Sequence, residues 1–289
     1  MKPQLFIHLP IPIILAWWLY DLQYQWRNLS EYHYGWIVPL LVFYLAWDKW
    51  NSIPQDDTPI SVWISFVIAL IGTPFVLLAE LYKQAIAQTP ASSFCLSIGC
   101  GLFVVALIFY LRGRKTARHF LFPLLFLFLA VPIPGILWNP IVLTLKEVVT
   151  NLTVEFLNCV GIPAVQRVNV IQLPNCAVGV DDACSGIRSL QSSVMIALFI
   201  GNLTFRKSRS RMVFLLIGVC LAVIGNLLRS LFLAVSVHQR GIEALDQFHD
   251  AAGWSIFVFT AVGLAGAAWL IGRFEKRANL EDEFELRSA

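Results

Sequence analysis

The chain has 289 residues, of which 58% are hydrophobic and only 13% are charged, and its mean hydropathy is +0.71. A soluble domain of this size has too small an interior to cover so much apolar surface, so the composition excludes that class and predicts a membrane protein. The net charge of +3 is small, and the basic residues fall in short clusters beside apolar runs, which argues against nucleic acid as a partner.

Apolar runs of suitable length predict an all-α protein with about eight transmembrane helices. The predicted spans are Leu5–Leu22, Tyr34–Trp50, Ile60–Tyr82, Ser93–Leu111, Ala117–Trp138, Cys184–Leu203, Met212–Ser236 and Ala251–Phe274. The second span is the weakest, being short and rich in Trp and Tyr. The first lacks a strongly basic start and a small-residue cleavage site, so we interpret it as a retained helix rather than a signal peptide.

Three clusters of basic residues predict the orientation of these spans. They are Arg112, Arg114, Lys115 and Arg118; Arg206, Lys207, Arg209 and Arg211; and Arg273, Lys276 and Arg277. All three fall on one side if there are eight spans and both termini are cytoplasmic. The segment Asn139–Asp182 and the loop Gln239–Asp250 are then predicted to lie outside.

The outer segment carries two further patterns. Apolar residues recur at helical spacing, with polar residues on another face, which predicts an amphipathic helix on the outer bilayer surface. The apolar positions are Ile141, Leu145, Val148, Leu152 and Phe156, and the polar ones are Glu147, Asn151, Glu155 and Asn158. Val165 to Val180 then alternates loosely around Pro174-Asn175, which favours a short β-hairpin, although a simple loop fits the same residues.

Three chemically capable residues are predicted at the outer face. Arg229 lies 17 residues after Met212, or about 25 Å into a hydrocarbon core of about 30 Å. His249 precedes the eighth span and Cys184 opens the sixth. Three segments of the chain therefore bring a thiol, a guanidinium and an imidazole to similar depth.

These side chains form a coherent catalytic set. A neighbouring cation or histidine favours the thiolate, so Cys184 would be the nucleophile. His249 would move protons and Arg229 would stabilise an oxyanion, whereas Asp250 is poorly placed to orient the adjacent His249. The sequence predicts no metal and no cofactor, because it has no His-Glu-x-x-His motif and its cysteines lack zinc-ligand spacing. It also has no Gly-x-Ser-x-Gly motif that would indicate a serine nucleophile.

Each residue also has a purely structural explanation. A cysteine in an apolar protein is commonly a small buried filler, an arginine near a span end is often an anchor, and a histidine before a span is often interfacial. Arg229 fits that explanation least, because a charge within a long apolar run is costly. Asn226, one turn earlier on the same face, adds a second polar group there.

Three blocks of the sequence resemble the signatures of the exosortase/archaeosortase family. They are Ala183-Cys184-Ser185-Gly186-Ile187-Arg188-Ser189-Leu190, Asn226-Leu227-Leu228-Arg229 and His249-Asp250-Ala251-Ala252-Gly253-Trp254. The first block is specific, and the order, spacing and shared outer location of all three strengthen the resemblance. It covers roughly Ala117 to Phe274.

The resemblance implies a multi-pass cysteine transpeptidase or protease of the bacterial inner membrane. Its substrates would be exported proteins with a carboxy-terminal signal comprising a Pro-Glu-Pro-like motif, a transmembrane helix and a basic cluster. Cys184 matches the nucleophile, Arg229 the catalytic arginine and His249 the catalytic histidine. Arg188, Asn226, Ser185 and Asp250 would bind substrate or support the site. Water, or a lipid- or sugar-linked amine, would take the acyl group.

The resemblance has limits. Asp182 stands where many family members carry Glu, and the chain ends soon after its last predicted span, as in a compact form without an added exopolysaccharide-associated domain. We expect a single integral membrane domain, with amino-terminal spans in 1–116, a catalytic core in 117–274 and a cytoplasmic tail in 275–289. Cys159 and Cys176 both fall outside and are able to pair as a disulfide.

Two other functions remain open. A transporter or flippase predicts polar residues at mid-membrane depth, including paired charges in several spans, whereas the first five predicted spans contain little charge apart from Glu80 near an outer end. A non-catalytic envelope-export factor would tolerate loss of the Cys184 thiol. The recognition motif, the acceptor and the oligomeric state do not follow from the sequence.

Overall fold

The computed structural model describes residues 10–54, 62–174, 176–179 and 186–288. The chain divides into two compact units, Met1–Trp138 and Asn139–Ala289, whereas the predicted division at residue 116 stays a prediction. Asp182 and the first three residues of the first signature block, Ala183, Cys184 and Ser185, lie outside the described residues.

The first unit is built from helices. They are α1 (Pro10–Asn28), a 3₁₀ helix (Ser30–Trp36), α2 (Val38–Trp50), α3 (Val62–Ala85), α4 (Pro90–Leu127) and a second 3₁₀ helix (Phe128–Ala130). Helix α4 begins with a capping box, in which Thr89 and Ser92 each accept a hydrogen bond from the other's backbone N–H. Gly113 has φ 84° and ψ −179°, which interrupts α4. The interruption lies where the sequence predicted the loop between the fourth and fifth spans.

Four stretches of helix are long and apolar enough to cross a membrane among the described residues. They are Val62–Ala85, Pro90–Ala130, Ser208–Arg240 and Glu243–Arg277. Large apolar side chains such as Leu40, Phe43 and Trp47 are also exposed, as expected for surfaces that face lipid. The protein is therefore a membrane protein with several apolar helices, and the count of eight spans stays a prediction.

A cluster of charged residues in the first unit was missed by the sequence analysis. Asp21 is only 5% exposed, and its Oδ1 lies 2.6 Å from Nζ of Lys83. Nζ of Lys83 also donates to Glu80 at 2.9 Å, and Nε2 of Gln88 donates to Oδ1 of Asp21 at 2.9 Å. Glu80 is therefore not alone, because Asp21 in the first predicted span carries a second charge, which is buried. These charges bind one another and join α1 to α3.

The second unit combines helices with one small sheet. Its elements are α5 (Gly135–Cys159), whose first turn belongs to the preceding unit, β1 (Val165–Arg167), β2 (Val170–Gln172), β3 (Ala177–Gly179), α6 (Ile187–Thr204), α7 (Ser208–Arg240) and α8 (Glu243–Ser288). The strands are antiparallel in the order β1-β2-β3, with Gln166 opposite Ile171 and Ile171 opposite Val178. The sheet therefore has three strands, where the sequence suggested a two-stranded hairpin.

One apolar core joins the sheet to the helices that carry the predicted site. Buried side chains from α5, the sheet, the end of α7 and the start of α8 pack together here. Its members are Val154, Leu157, Ala164, Ile171, Leu173, Val178, Leu233, Ala234, Val237 and Ala252. Arg229 is one turn before Leu233, and His249 is one turn before Ala252, so this core determines how α7 and α8 present both residues.

The opposite ends of α6, α7 and α8 are held by a second core and by a carboxylate. Phe205 and Phe214 pack edge to face, with their ring centroids 5.3 Å apart. One carboxylate oxygen of Glu275 accepts hydrogen bonds from the backbone N–H groups of Arg206 and Lys207, each at 3.0 Å. This second core and Glu275 join the three helices at one end, whereas the core with the sheet joins α7 to α8 at the other.

Helix α5 contains the predicted amphipathic pattern, but one apolar face is exposed and a neighbouring apolar face is buried. Ile141, Val148 and Phe156 of the predicted apolar stripe are exposed, whereas Val149 and Leu157 on a neighbouring face are buried. The exposed stripe is available to a bilayer surface, as an interfacial helix requires.

Candidate active site

Two of the predicted site residues are in direct contact. Nη2 of Arg229 on α7 lies 3.0 Å from Nε2 of His249 on α8, and 3.5 Å from the backbone carbonyl oxygen of His249. Gly241, with φ 86°, ends α7 and reverses the chain so that α8 returns beside it. The sequence predicted a loop over Gln239–Asp250, but α8 already begins at Glu243. His249 is consequently held on a helix.

The donor and the acceptor of this hydrogen bond follow from the chemistry of the two side chains. A guanidinium only donates hydrogen bonds, so Nε2 of His249 must be the acceptor from Arg229, and the ring proton is on Nδ1. The lone pair of Nε2 is occupied as long as Arg229 keeps this contact. His249 is able to take a proton at Nε2 only after Arg229 has moved to another acceptor.

A short turn at Gly186 forms the opposite wall of the site. Gly186 precedes α6 with φ 78°, and its carbonyl oxygen accepts a hydrogen bond from the Ser189 hydroxyl at 2.8 Å. A Cβ atom at Gly186 would lie 2.6 Å from Nδ2 of Asn226. Both the positive φ and the lack of space therefore require glycine here.

Gly186, Arg229 and His249 line one cavity of about 490 Å³ within the second unit. Asn226 lines it as a buried side chain, while Arg188 and Asp250 line it as exposed ones. Five predicted site residues are thus brought together, namely Arg188, Asn226, Arg229, His249 and Asp250. Cys184 and Ser185 lie outside the described residues, although Cys184 precedes Gly186 by only two positions.

The cavity continues along α6 and α8 as a groove. Residues from the two helices recur at helical spacing along it: Ser189, Ser192, Ser193 and Ile196 on α6, and Gly253, Trp254, Phe257, Thr260, Ala261 and Leu264 on α8. From His249 to Leu264 is 15 residues, or about 22 Å of helix. The groove wall is mainly apolar, with small and hydroxyl-bearing side chains between the larger ones.

The groove was not predicted from the sequence. Ser192, Ser193 and Thr260 carry hydroxyls in largely apolar helices, where such residues commonly bond to their own backbone and indicate no site. Among the residues along the groove, Ser189 had a signal because it belongs to the first signature block, and Gly253 and Trp254 had one because they belong to the third. Oγ1 of Thr260 and Nδ2 of Asn226 are both buried and have no hydrogen-bond partner among the described residues.

The free thiols of the outer segment do not form the disulfide that the sequence permitted. Cys159 is exposed and Cys176 is half-buried, and both are free cysteines in the structure. Cys176 instead packs against the core that joins the sheet to α7 and α8.

Comparison with known proteins decides the family. The sequence model of the transmembrane exosortases matches residues 26–266, which is most of the chain. The chain belongs to the transmembrane exosortase family. No curated protein and no solved structure matches it.

Membership of this family gives the general activity of the protein. Exosortases are cysteine transpeptidases that act in the membrane on secreted proteins. The match includes all three signature blocks, and residues from each of them line one cavity in the second unit of this exosortase.

Proposed function

We propose that this exosortase cleaves the carboxy-terminal sorting signal of exported proteins through a thioester on Cys184. The observation that carries the proposal is the 3.0 Å contact between Arg229 and His249 in a cavity that begins at Gly186. Two residues of chain span at most about 7 Å. Connectivity therefore keeps Cys184 near the same end of the cavity.

The reaction begins when the scissile carbonyl oxygen takes over the N–H groups of Arg229. Nε2 of His249 then loses its donor and accepts the thiol proton of Cys184. The sulfur attacks the carbonyl carbon, and Arg229 stabilises the oxyanion that forms. Substrate binding thus releases the base in the place where it is needed.

The tetrahedral intermediate collapses with cleavage of the carbon–nitrogen bond. His249 returns its proton to the departing amine, and the amino-terminal product remains on Cys184 as a thioester. Attack by water makes the enzyme a protease, and attack by a lipid- or sugar-linked amine makes it a transpeptidase. Either nucleophile breaks the sulfur–carbon bond and regenerates the thiol.

The groove between α6 and α8 suits the helical part of the sorting signal. Its length of about 22 Å along α8 approaches the thickness of a bilayer core, and Gly253 and Ala261 permit close approach of another helix. A substrate helix lying in the groove would place the preceding motif beside Arg229 and His249. Arg188 and Asp250, exposed at that end, are positioned to bind the motif.

We place the site at the outer face of the bacterial inner membrane, with both termini cytoplasmic. The basic clusters support this orientation. The cluster at Arg206, Lys207 and Arg211 lies at the junction of α6 and α7, remote along both helices from Gly186 and Arg229. The proposed substrate is a secreted protein that reaches the site from the membrane.

The test uses a reporter protein whose tail carries a Pro-Glu-Pro motif, an apolar helix and a basic cluster. The reporter is co-expressed with wild type, Cys184→Ala, Arg229→Ala or His249→Ala, and its cleavage is followed by mass spectrometry. Cys159→Ala is the matched control, because Cys159 is an exposed free thiol. All three site variants should be inactive and the control active. Normal cleavage by Cys184→Ala would exclude the proposal and favour a non-catalytic role in export.

A further inference from the structure

Asn226 is a buried polar side chain whose donor is unused within the described structure. The residue is 3% exposed, and its Nδ2 has no hydrogen-bond partner among the described residues. Buried amide groups almost always have a partner, because an unpaired donor loses its bonds to water without replacement. The side chain of Asn226 lines the cavity, so a molecule bound there is the candidate partner for this donor.

The position of Asn226 restricts which part of a bound molecule could lie beside its amide group. Asn226 is one turn before Arg229 on α7, and both line the cavity with His249. Nδ2 also lies against Gly186, two residues after Cys184 in the sequence. The amide therefore lies against the glycine of the first signature block and one turn from Arg229.

The ligand atom must be an acceptor, since Nδ2 only donates. A peptide carbonyl oxygen is such an acceptor, and it becomes a stronger one as negative charge develops on it during attack. Arg229 contacts His249 through Nη2 at both the ring and the backbone. A neutral amide donor beside it completes the oxyanion site without adding a second charge.

We infer that Asn226 donates a hydrogen bond from Nδ2 to the carbonyl oxygen that Cys184 attacks, and that it stabilises the oxyanion with Arg229. The inference rests on the proposed function, and it assigns Asn226 a direct part in the reaction. Asn226 acts through its N–H group, so a side chain of the same shape without that donor should not support catalysis.

The decisive variant is Asn226→Asp, which keeps the shape and the packing against Gly186 but replaces the donor with an acceptor. Asn226→Ala removes the donor without adding charge. Ser230→Ala is the matched control, because Ser230 is buried on the same helix and its hydroxyl has no partner among the described residues, but it does not line the cavity. Purified enzymes in detergent are assayed with the tripartite reporter for kcat, KM and melting temperature.

Both Asn226 variants should lose about 10²–10³-fold in kcat, with KM and melting temperature close to wild type, and Ser230→Ala should retain full activity. Wild-type kcat in Asn226→Asp would overturn the inference and leave Asn226 a packing role. A loss of activity fully explained by the unfolded fraction would overturn it as well. If Cys184→Ala still cleaves the reporter, the proposed function fails; if only Asn226→Asp retains activity, that function stands and this inference alone falls.

Discussion

Gly186 and Asn226 are in such close contact that a Cβ atom on Gly186 would lie 2.6 Å from Nδ2 of Asn226. This contact fixes the turn that follows Cys184 against the helix that carries Arg229. It connects the first two signature blocks, which are separated by about forty residues of chain.

The Gly186 turn provides the first prediction. In Gly186→Ala, the positive φ costs about 1–2 kcal/mol, and the added Cβ also displaces Asn226. Reporter cleavage should fall at least about tenfold, since small displacements of reacting groups have large effects on rate. Gly161→Ala separates the two effects, because Gly161 has φ 84° but open space around it. That variant should be slightly less stable and fully active; equal activity loss in both variants would contradict the role of the contact.

The second prediction concerns the geometry of the Arg229–His249 pair. Arg229→Lys keeps the positive charge but loses the planar fork of donors, so it neither holds His249 at rest nor offers the substrate carbonyl oxygen the same N–H groups. Cleavage should fall about 10²-fold or more. Arg240→Lys, at the end of the same helix where its guanidinium lies 5.0 Å from the Phe248 ring centroid, should be nearly neutral. An active Arg229→Lys enzyme would show that charge alone is sufficient.

The third prediction tests the groove between α6 and α8. Ala261 lines the groove, so Ala261→Trp should obstruct a substrate helix and raise KM for the tripartite reporter about tenfold or more. The neighbouring Val262 is exposed and does not line the groove, and Val262→Trp should leave KM unchanged. Measurement of KM for the two variants shows whether the substrate helix binds in the groove. A wild-type KM in Ala261→Trp would mean that the substrate helix docks elsewhere.

The fourth prediction concerns the stability of the first unit. Lys83 also binds Glu80, so Asp21→Ala leaves the ammonium with one carboxylate instead of two and should lower the free energy of unfolding by about 1–3 kcal/mol. Adding Lys83→Met should restore part of that loss, because the ammonium that lost a partner is then absent. Thermal unfolding in detergent measures both effects, with Asp48→Ala as the exposed control. Equal stability of the single and double variants would argue against coupling between Asp21 and Lys83.

The buried ion pair also bears on the transporter alternative. That function predicts paired charges along a path in several helices, and Asp21 with Lys83 is such a pair in the first unit. Its members bind each other, Glu80 and Gln88. The pair therefore fits a structural cross-link between helices better than a conducting path.

Parts of the site were predictable from sequence because they depend on distance along a helix. Counting residues placed Arg229 and His249 at similar depth, and the structure brings them to 3.0 Å. The same counting does not show that His249 lies within α8, because the first turns of that helix are polar and an apolar run begins only at Ala251. Asp21 was missed for a related reason: one carboxylate in an apolar run does not indicate its partner when that partner is Lys83 on another helix.

The sequence by itself determined the membrane class, the family and the residues of the proposed site, because composition, spacing and motif are properties of the chain alone. Only the tertiary structure decided that Arg229 donates to His249, that Asn226 packs on Gly186 and that α6 and α8 leave a groove beside them. Those relationships depend on which helix faces meet. The faces that meet are determined by packing between side chains that are far apart in the chain, so a local sequence pattern does not predict them.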